Sequence, residues 1–411
     1  MRKSFSRIMW AVIVVTAIIL LIFIGKTIVS GMGFWTGEIA MDLTGLAGDF
    51  IGGVIGTIFS AGAFVWAYIT LIEQQKKQSS DRLENRFFEL LDLHRRNVDE
   101  MEFDARGRVS DPNTLSVSNH HHKGKAVFCE IFRQITTCRN ELAPFFNSRT
   151  DIYEQDYLSV LKNNQFIIDN RIKDFTQLAL LDVSYCVVFF GVGAEGKKVL
   201  LSLFDGKYKK QFIAKMIDYI SLKPAEDSNK YKRWIYIDDR NDIQRKFEIS
   251  EAIKLDRNNK PFSGSCLKKA DLKYIKGFDS HYVKYYGGHQ FRLGHYFRHL
   301  FQTVRYMNEQ VDLPYEEKYG YIKLLRAQLS NYEQALLFFN SLSQLGRKWE
   351  MDAVINTKCT NYSRADFELI TKYNLIKNIP VGAQLGIEPN QYYKSVEYEY
   401  SSTVVERKYF K

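Results

Sequence analysis

The chain has 411 residues, 45% of them hydrophobic, and a formal net charge of +10, which argues against a disordered chain and leaves room for two or three folded domains. Five scattered cysteines without a CxxC pair argue against a disulfide framework or a zinc ribbon. Tyr and Phe are frequent, at 25 and 29 residues, whereas Pro occurs only 7 times, and this balance predicts a mainly α-helical protein. The positive charge suits either an anionic lipid surface or nucleic acid.

Two uncharged segments near the N-terminus have the length of membrane-spanning helices, residues 8–25 and residues 50–72. The basic residues before the first segment also fit a signal peptide, but the apolar run is longer than usual and no clean cleavage site follows it. In the second segment, Gly52, Gly53 and Gly56 would let helices pack closely, within one hairpin or between copies of the chain. Residues 1–72 are therefore predicted to form a transmembrane hairpin.

Charges around this hairpin predict its orientation. The connection, residues 26–49, carries three acidic residues and one lysine, whereas basic residues flank the outer ends of both spans. By the positive-inside rule, both termini face the cytoplasm. We expect a multi-pass membrane protein with most of the chain in the cytoplasm.

The remainder divides by its hydrophobic periodicity. A helical stalk is expected first, then a helical cytoplasmic domain that opens on a loop at residues 104–125. A β-containing or irregular insertion, rich in Lys, Arg and Tyr, is the candidate surface for nucleic acid or protein. A polar tail is expected to pack late or not at all. The predicted segments are residues 73–103 (stalk), 104–227 (helical domain), 228–290 (mixed α/β insertion), 291–345 (paired helices) and 346–411 (C-terminal segment).

Two short motifs favour structural interpretations. GVGAEG, residues 191–196, matches GxGxxG, but a long apolar and helical run precedes it instead of a strand. A glycine that ends a helix explains it better. The triplet at residues 120–122 consists of three consecutive histidines, which cannot all point at one ion from a regular element, so a polar loop tip is expected.

The paired helices, residues 293–308 and 321–343, hold the candidate site. Each has an apolar stripe, and their polar flanks are expected to meet in one cleft. The predicted cleft residues are His295, Tyr296, Arg298, Arg326, Gln328, Glu333 and Asn340.

Three interpretations compete for the histidines of LGHYFRHLFQTVRYMN, residues 293–308. His295 and His299 have metal-ligand spacing, but no carboxylate or Cys lies at a neighbouring helical position, and no metal is inferred. Arg292 and His299 fit the Arg-x4–6-His spacing of HEPN ribonucleases, in which His moves a proton and Arg stabilises the phosphorane. The third interpretation is structural, with hydrogen bonds across the helix interface.

Four stretches together resemble the phage abortive-infection membrane proteins, sometimes called AbiC-like: AGDFIGG (47–53), NRFFELLDLHRRNV (85–98), LGHYFRHLFQTVRYMN (293–308) and LLRAQLSNYEQALLFFN (324–340). The resemblance covers nearly the whole chain and is weakest in residues 228–290 and the tail.

The resemblance implies a toxin-like, membrane-anchored effector of bacterial antiviral defence, located in the inner membrane, that stops or kills the infected cell. The Gly-rich second span and the helical stalk favour impairment of the inner membrane on activation. Some relatives accompany retrons, which implies restraint by a reverse transcriptase and its RNA–DNA hybrid. The other expected partners are the lipid bilayer and further copies of the chain, and no cofactor is inferred. A non-enzymatic effector is favoured. Two alternatives stay open, a membrane-tethered HEPN-like ribonuclease acting through Arg292 and His299 and an interaction module without toxicity.

Overall fold

The computed structural model describes most of the chain from residue 56 onward and scattered positions before it. The protein is mainly helical, with 70% helix and 3% strand, which confirms the mainly α-helical part of the predicted fold class. It divides into two compact units, residues 1–86 and residues 87–411. The described residues are 10, 14–18, 20–22, 24–26, 29, 45, 48, 49, 52, 53, 56–108, 117–147, 151–238, 242–262, 267–278, 282–352, 367–380 and 385–400.

Helix α1, Gly56–Asp99, begins in the first unit and ends in the second. Among the described residues it is the one helix long and apolar enough to cross a membrane, by length and composition. Its N-terminal part exposes large apolar side chains, including Phe64 at 75%. Most of residues 1–55 lie outside the described part, and the predicted two-helix transmembrane hairpin is not shown. Gly52 and Gly53 lie on a π-helical turn before α1 and have open space around their Cα atoms.

The C-terminal end of α1 is buried in the second unit through Phe87, Leu91, His94 and Val98. A β-hairpin follows, with β1 at Glu102–Arg108 and β2 at Val117–Lys123 in antiparallel pairing. The prediction of a loop at residues 104–125 was therefore wrong in part. Strand β1 alternates polar and apolar residues only from Glu102 to Arg106, and β2 is polar apart from Val117. Strand prediction depends on a longer alternation than this.

The core of the second unit is built on α2, Lys125–Asn147, and α5, Phe175–Phe190, which pack against each other. From Leu178 to Phe189, every residue of α5 is buried, which explains its uninterrupted apolar sequence. Four further helices complete residues 151–227 as predicted: α3 at Gln155–Lys162, α4 at Gln165–Asp169, α6 at Ala194–Phe204 and α7 at Lys210–Ile220.

The expected β-containing insertion at residues 228–290 is helical in its described part. Its helices are α8 at Tyr231–Asp238, α9 at Ile243–Arg257 and α10 at Lys269–Ile275. Many of its basic and aromatic residues serve packing: Arg245 forms a buried ion pair with Asp271 at 2.6 Å, and the Tyr236 and Tyr274 rings stack. The prediction was wrong because short helices separated by turn residues give a sequence pattern similar to that of short strands.

The region predicted to contain two paired helices contains three helices. Helix α11 spans Gln290–Asn308, as expected, but the predicted helix 321–343 is divided into α12, Tyr315–Arg326, and α13, Asn331–Leu342. Ser330 caps α13, and the Ser330 and Glu333 side chains form a reciprocal capping box. A continuous apolar heptad pattern therefore concealed a helix boundary that the S-x-x-E sequence signals.

The C-terminal segment packs closely wherever the structure describes it. It contains 3-10 turns at Arg347–Trp349 and Pro389–Gln391 and the short helix α14, Leu369–Lys372. Tyr392 and Tyr393 are buried. The expectation of a tail that packs late or not at all was wrong for residues 385–400.

Candidate functional site

Helix α11 starts at a close crossing of two backbone segments. Gly191 ends α5 with a φ of 75°, as the helix-stop interpretation of GVGAEG predicts, and a Cβ there would lie 2.7 Å from the backbone of Gly288. Gly288 has a φ of 93°, and the next residue, His289, donates its N–H to the Phe189 carbonyl at 2.8 Å. Glycine is required on both sides because a side chain would separate the two backbones.

The inner face of α11 carries a buried polar cluster. The Tyr296 hydroxyl, fully buried, donates to Glu333 Oε1 at 2.9 Å. Glu333 Oε2 accepts from the Ser330 N–H and from the Ser330 hydroxyl, both at 2.7 Å. Burial and the neighbouring Glu333 carboxylate raise the pKa of Tyr296 well above its usual value. A buried carboxylate with three donors is a fixed structural element, closed to any substrate.

His94 of α1 is the fourth member of this cluster and was not among the predicted residues. Its Nε2 lies 3.9 Å from Glu333 Oε1, and its ring lies beside the rings of Tyr296 and His299. Among the described residues, neither ring nitrogen of His94 has a hydrogen-bond partner. Burial, followed by the neighbouring His299 and two cations, lowers the pKa of His94 to about 4. The imidazole is therefore neutral at physiological pH.

Arg292 and His299, the ribonuclease candidates, lie two turns apart on α11 and face carbonyl groups of other elements. The Arg292 Nε donates to the Glu102 carbonyl at 2.8 Å, and its guanidinium lies over the Phe103 ring at 4.9 Å. His299 Nε2 lies 2.9 Å from the Leu90 carbonyl. Both side chains therefore bond to a backbone carbonyl of a neighbouring element, Arg292 to the β-hairpin and His299 to α1.

Of the other predicted cleft residues, Arg298 and Asn340 line one cavity, whereas His295, Arg326 and Gln328 are not part of its described lining. His295 and Arg298 are exposed. Arg326 donates to the Tyr373 and Asn374 carbonyls, and Gln328 accepts from Arg95 Nε at 3.0 Å. Asn340 donates to the Tyr185 hydroxyl and accepts from Trp349 Nε1.

No metal centre forms among the described residues, since no three His, Cys, Asp or Glu side chains converge there. The histidine triplet lies on β2 instead of a loop tip, and its His121 pairs with Asp104 at 2.7 Å.

The outer face of α11 lines a cavity of about 890 Å³. Arg298 and Asn340 are its two predicted cleft residues, and the remainder was missed because it comes from distant segments. Its walls are mainly apolar and include six aromatic side chains, and its edge carries exposed cationic side chains. The described lining residues are Phe189, Phe190, Gln290, Leu293, Gly294, Phe297, Arg298, Phe301, Gln302, Arg305, Asn308, Glu309, Asn340, Leu345, Gly346, Lys348, Trp349, Phe367 and Leu369.

The missed residues differ in the signals that could have revealed them. Phe87, Leu91, His94 and Val98 follow a four-three-four spacing, so heptad reading would have placed His94 on the buried stripe of α1. Lys348 and Trp349 lie in a 3-10 turn that has no periodicity. Their convergence with α11 could not be read from the sequence.

Comparisons with known proteins place this region in a family. Residues 288–358, which contain α11, α12 and α13, match the family model described as "Putative phage abortive infection protein". Neither a curated protein nor a solved structure matches the chain. The matched region begins at the glycine crossing and includes Glu333 and much of the cavity lining. The match, which is confined to residues 288–358, supports an AbiC-like assignment.

Proposed function

We propose that the chain is a membrane-anchored effector of phage abortive infection that impairs the inner membrane when activated. The family match supports a role in abortive infection. The observation that carries the membrane role is α1, a single helix with an exposed apolar beginning and a buried end. Both termini lie in the cytoplasm in this proposal, as the flanking charges predict.

The exposed apolar side chains of α1 favour an apolar environment, which water does not provide. Phe59, Phe64, Trp66, Tyr68 and Leu71 are all exposed large side chains. Monomeric soluble proteins rarely expose contiguous apolar patches of this kind, whereas lipid tails bury them at no cost. The open surroundings of Gly52 and Gly53 leave a small-residue face on which further spanning helices could pack.

The buried C-terminal part of α1 couples the cytoplasmic unit directly to the spanning helix. His299 contacts the Leu90 carbonyl, and the Arg95 side chain donates to Gln328. Loss of these contacts would release the C-terminal end of α1 from the cytoplasmic unit. Because α1 is one continuous helix, this release would also affect its membrane-spanning part. We propose that a partner maintains the resting state, and the resemblance points to a retron reverse transcriptase with its RNA–DNA product.

The ribonuclease alternative finds no favouring observation among the described contacts. Arg292 and His299 both bind backbone carbonyl groups, and the nearby carboxylate, Glu333, is fully buried. A general base must reach the proton that it removes.

The test expresses the full chain in bacteria without its genomic neighbours and follows membrane potential and RNA integrity together. We expect depolarisation with intact RNA. Phe64→Lys is expected to abolish depolarisation, because a lysine at the centre of a spanning helix costs roughly 3 kcal/mol. Val199→Lys, at an exposed apolar position of α6, is the matched control and keeps the effect. Depolarisation that survives Phe64→Lys, or RNA loss without depolarisation, would contradict the proposal.

A further inference from the structure

We propose that the cavity on the outer face of α11 binds a nucleoside phosphate. Its volume of about 890 Å³ lies within the range of small-molecule sites, roughly 300–1,000 Å³. The site lies largely in the family-matched region and is distinct from the buried Glu333 cluster. Its ligand class follows from three features of the lining.

The charge of the lining favours an anion with more than one negative charge. Arg298, Arg305 and Lys348 contribute three positive charges, and Glu309 contributes one negative charge, so the described lining has a net charge of +2. Glu309 is already engaged by Arg305, whose Nε lies 2.6 Å from its carboxylate. Arg298 and Lys348 are exposed, and the contact shown for Arg298 is Nε to the Gly294 carbonyl within its own helix. Guanidinium and ammonium groups of this kind bind phosphates.

The walls favour a planar ring over an acyl chain. The Phe301 and Trp349 rings are perpendicular, with their centroids 5.0 Å apart. Trp349 is fixed by its Nε1 hydrogen bond to Asn340 Oδ1 at 3.2 Å, whereas Phe301 is partly exposed. The wall is therefore ordered before a ligand arrives and leaves one ring accessible for a base to stack on.

Side-chain amides supply the third feature. Gln290 and Gln302 line the cavity from α11 and are exposed. Each amide offers both donors and an acceptor, which the edge of a nucleobase can use and an acyl chain cannot. A nucleoside phosphate would place its phosphate at the cationic edge and its base against the aromatic rings, within reach of the amides. This one ligand class therefore accounts for the charge, the rings and the amides of the lining.

The experiment measures equilibrium binding to the full chain in lipid nanodiscs, with ATP, GTP, CTP and UTP as nucleotides. Inorganic triphosphate and adenosine test the phosphate and base parts separately. At least one nucleotide is expected to bind below about 1 mM and about tenfold more tightly than either part, because both contribute. Failure of all four nucleotides to bind, or equal binding of triphosphate and nucleotide, would overturn the proposal.

Variants locate the binding. Arg298→Gln combined with Lys348→Gln is expected to weaken nucleotide binding about tenfold through loss of charge-assisted contacts. Phe301→Leu is expected to weaken nucleotide but not triphosphate binding, about threefold, through loss of stacking. Lys198→Gln, at an exposed lysine of α6 outside the cavity lining, is the matched control. Nucleotide binding that is unchanged in the double variant would place the ligand elsewhere and overturn the proposal.

Discussion

The two faces of α11 use similar side chains for opposite purposes. On the inner face, Tyr296, His299 and Arg292 each bind a defined partner on another element. On the outer face, Arg298 bonds within its own helix and Lys348 is exposed beside a cavity. The inner groups stabilise the fold, and the outer groups are available for a ligand.

This difference shows why residue type alone misassigns a site. The spacing of Arg292 and His299 resembles catalytic machinery, yet their side chains bond to backbone carbonyl groups, that of Glu102 at the start of β1 and that of Leu90 within α1. Arg298 has the same chemistry as Arg292 and lies on the other face. The four predictions below test the comparison, from the largest expected effect to the smallest.

Replacement of Glu333 should give the largest loss of stability. Glu333→Ala leaves the Tyr296 hydroxyl and the Ser330 N–H without an acceptor in a buried place, which should lower the free energy of unfolding by about 3 kcal/mol. Glu333→Gln keeps the shape and one acceptor and should cost about 1 kcal/mol. Thermal unfolding of the full chain measures both. Equal effects of the two variants would mean that the cluster does not depend on its acceptors.

His94 should make the stability depend on pH. Its pKa is about 4 in the folded protein against an ordinary 6.5, so the unfolded chain takes up the proton first as the pH falls. Stability from this group is complete above pH 6.5 and decreases toward pH 4, by up to about 3 kcal/mol. Unfolding measured across this window reports the slope.

His94→Phe should remove that slope and leave the protein as stable or more stable at pH 7, because both ring nitrogens of His94 lack partners. His289 contributes a second slope, since burial and Arg292 lower its pKa to about 3. The double replacement should therefore flatten the profile further. A single variant with the full wild-type slope would show that His94 is not the titrating group.

Arg292→Ala and His299→Ala should each cost about 1 kcal/mol, the usual contribution of one hydrogen bond. Both should retain toxicity in expressing cells, with RNA integrity unchanged. Arg292→Lys is the conservative control for the lost charge. Toxicity that disappears in His299→Ala while membrane insertion persists would favour the ribonuclease interpretation instead.

Arg298→Gln and Lys348→Gln should have the smallest effect on stability, within about 0.5 kcal/mol, because exposed side chains without partners on other elements contribute little. Thermal unfolding checks this in the variants used for nucleotide binding. A loss above about 1 kcal/mol would show that the outer face also serves the fold.

The sequence predicted the fold where periodicity was strong. Helix α11 and the apolar α5 follow directly from their patterns. The hairpin β1–β2 was missed because β2 is almost entirely polar and β1 alternates over only a few residues. The break before Asn331 was missed because the apolar heptad continues across it. These errors come from using hydrophobic spacing where capping and strand pairing determine the structure.

The candidate site was less predictable because it depends on contacts between distant segments. Tyr296, Glu333 and Asn340 were identified as candidates, but their partners were not, and Tyr296 was assigned to the apolar stripe as well as to the cleft. His94 lies more than 200 positions from Glu333 in the chain, and no local pattern connects them. Tyr296 and Glu333 of the predicted cleft form a buried cluster on the inner face of α11, whereas the open cavity lies on its outer face.

The crossing of Gly191 and Gly288 has a consequence for how such chains are recognised in genomes. The two positions share one constraint, since each backbone occupies the space that a side chain of the other would need. Related sequences that form this crossing should therefore keep both glycines. A search for GxGxxG would assign residues 191–196 to nucleotide chemistry, although a backbone almost a hundred positions away requires the first of those glycines. A paired-glycine signature would identify this architecture more reliably than the motif.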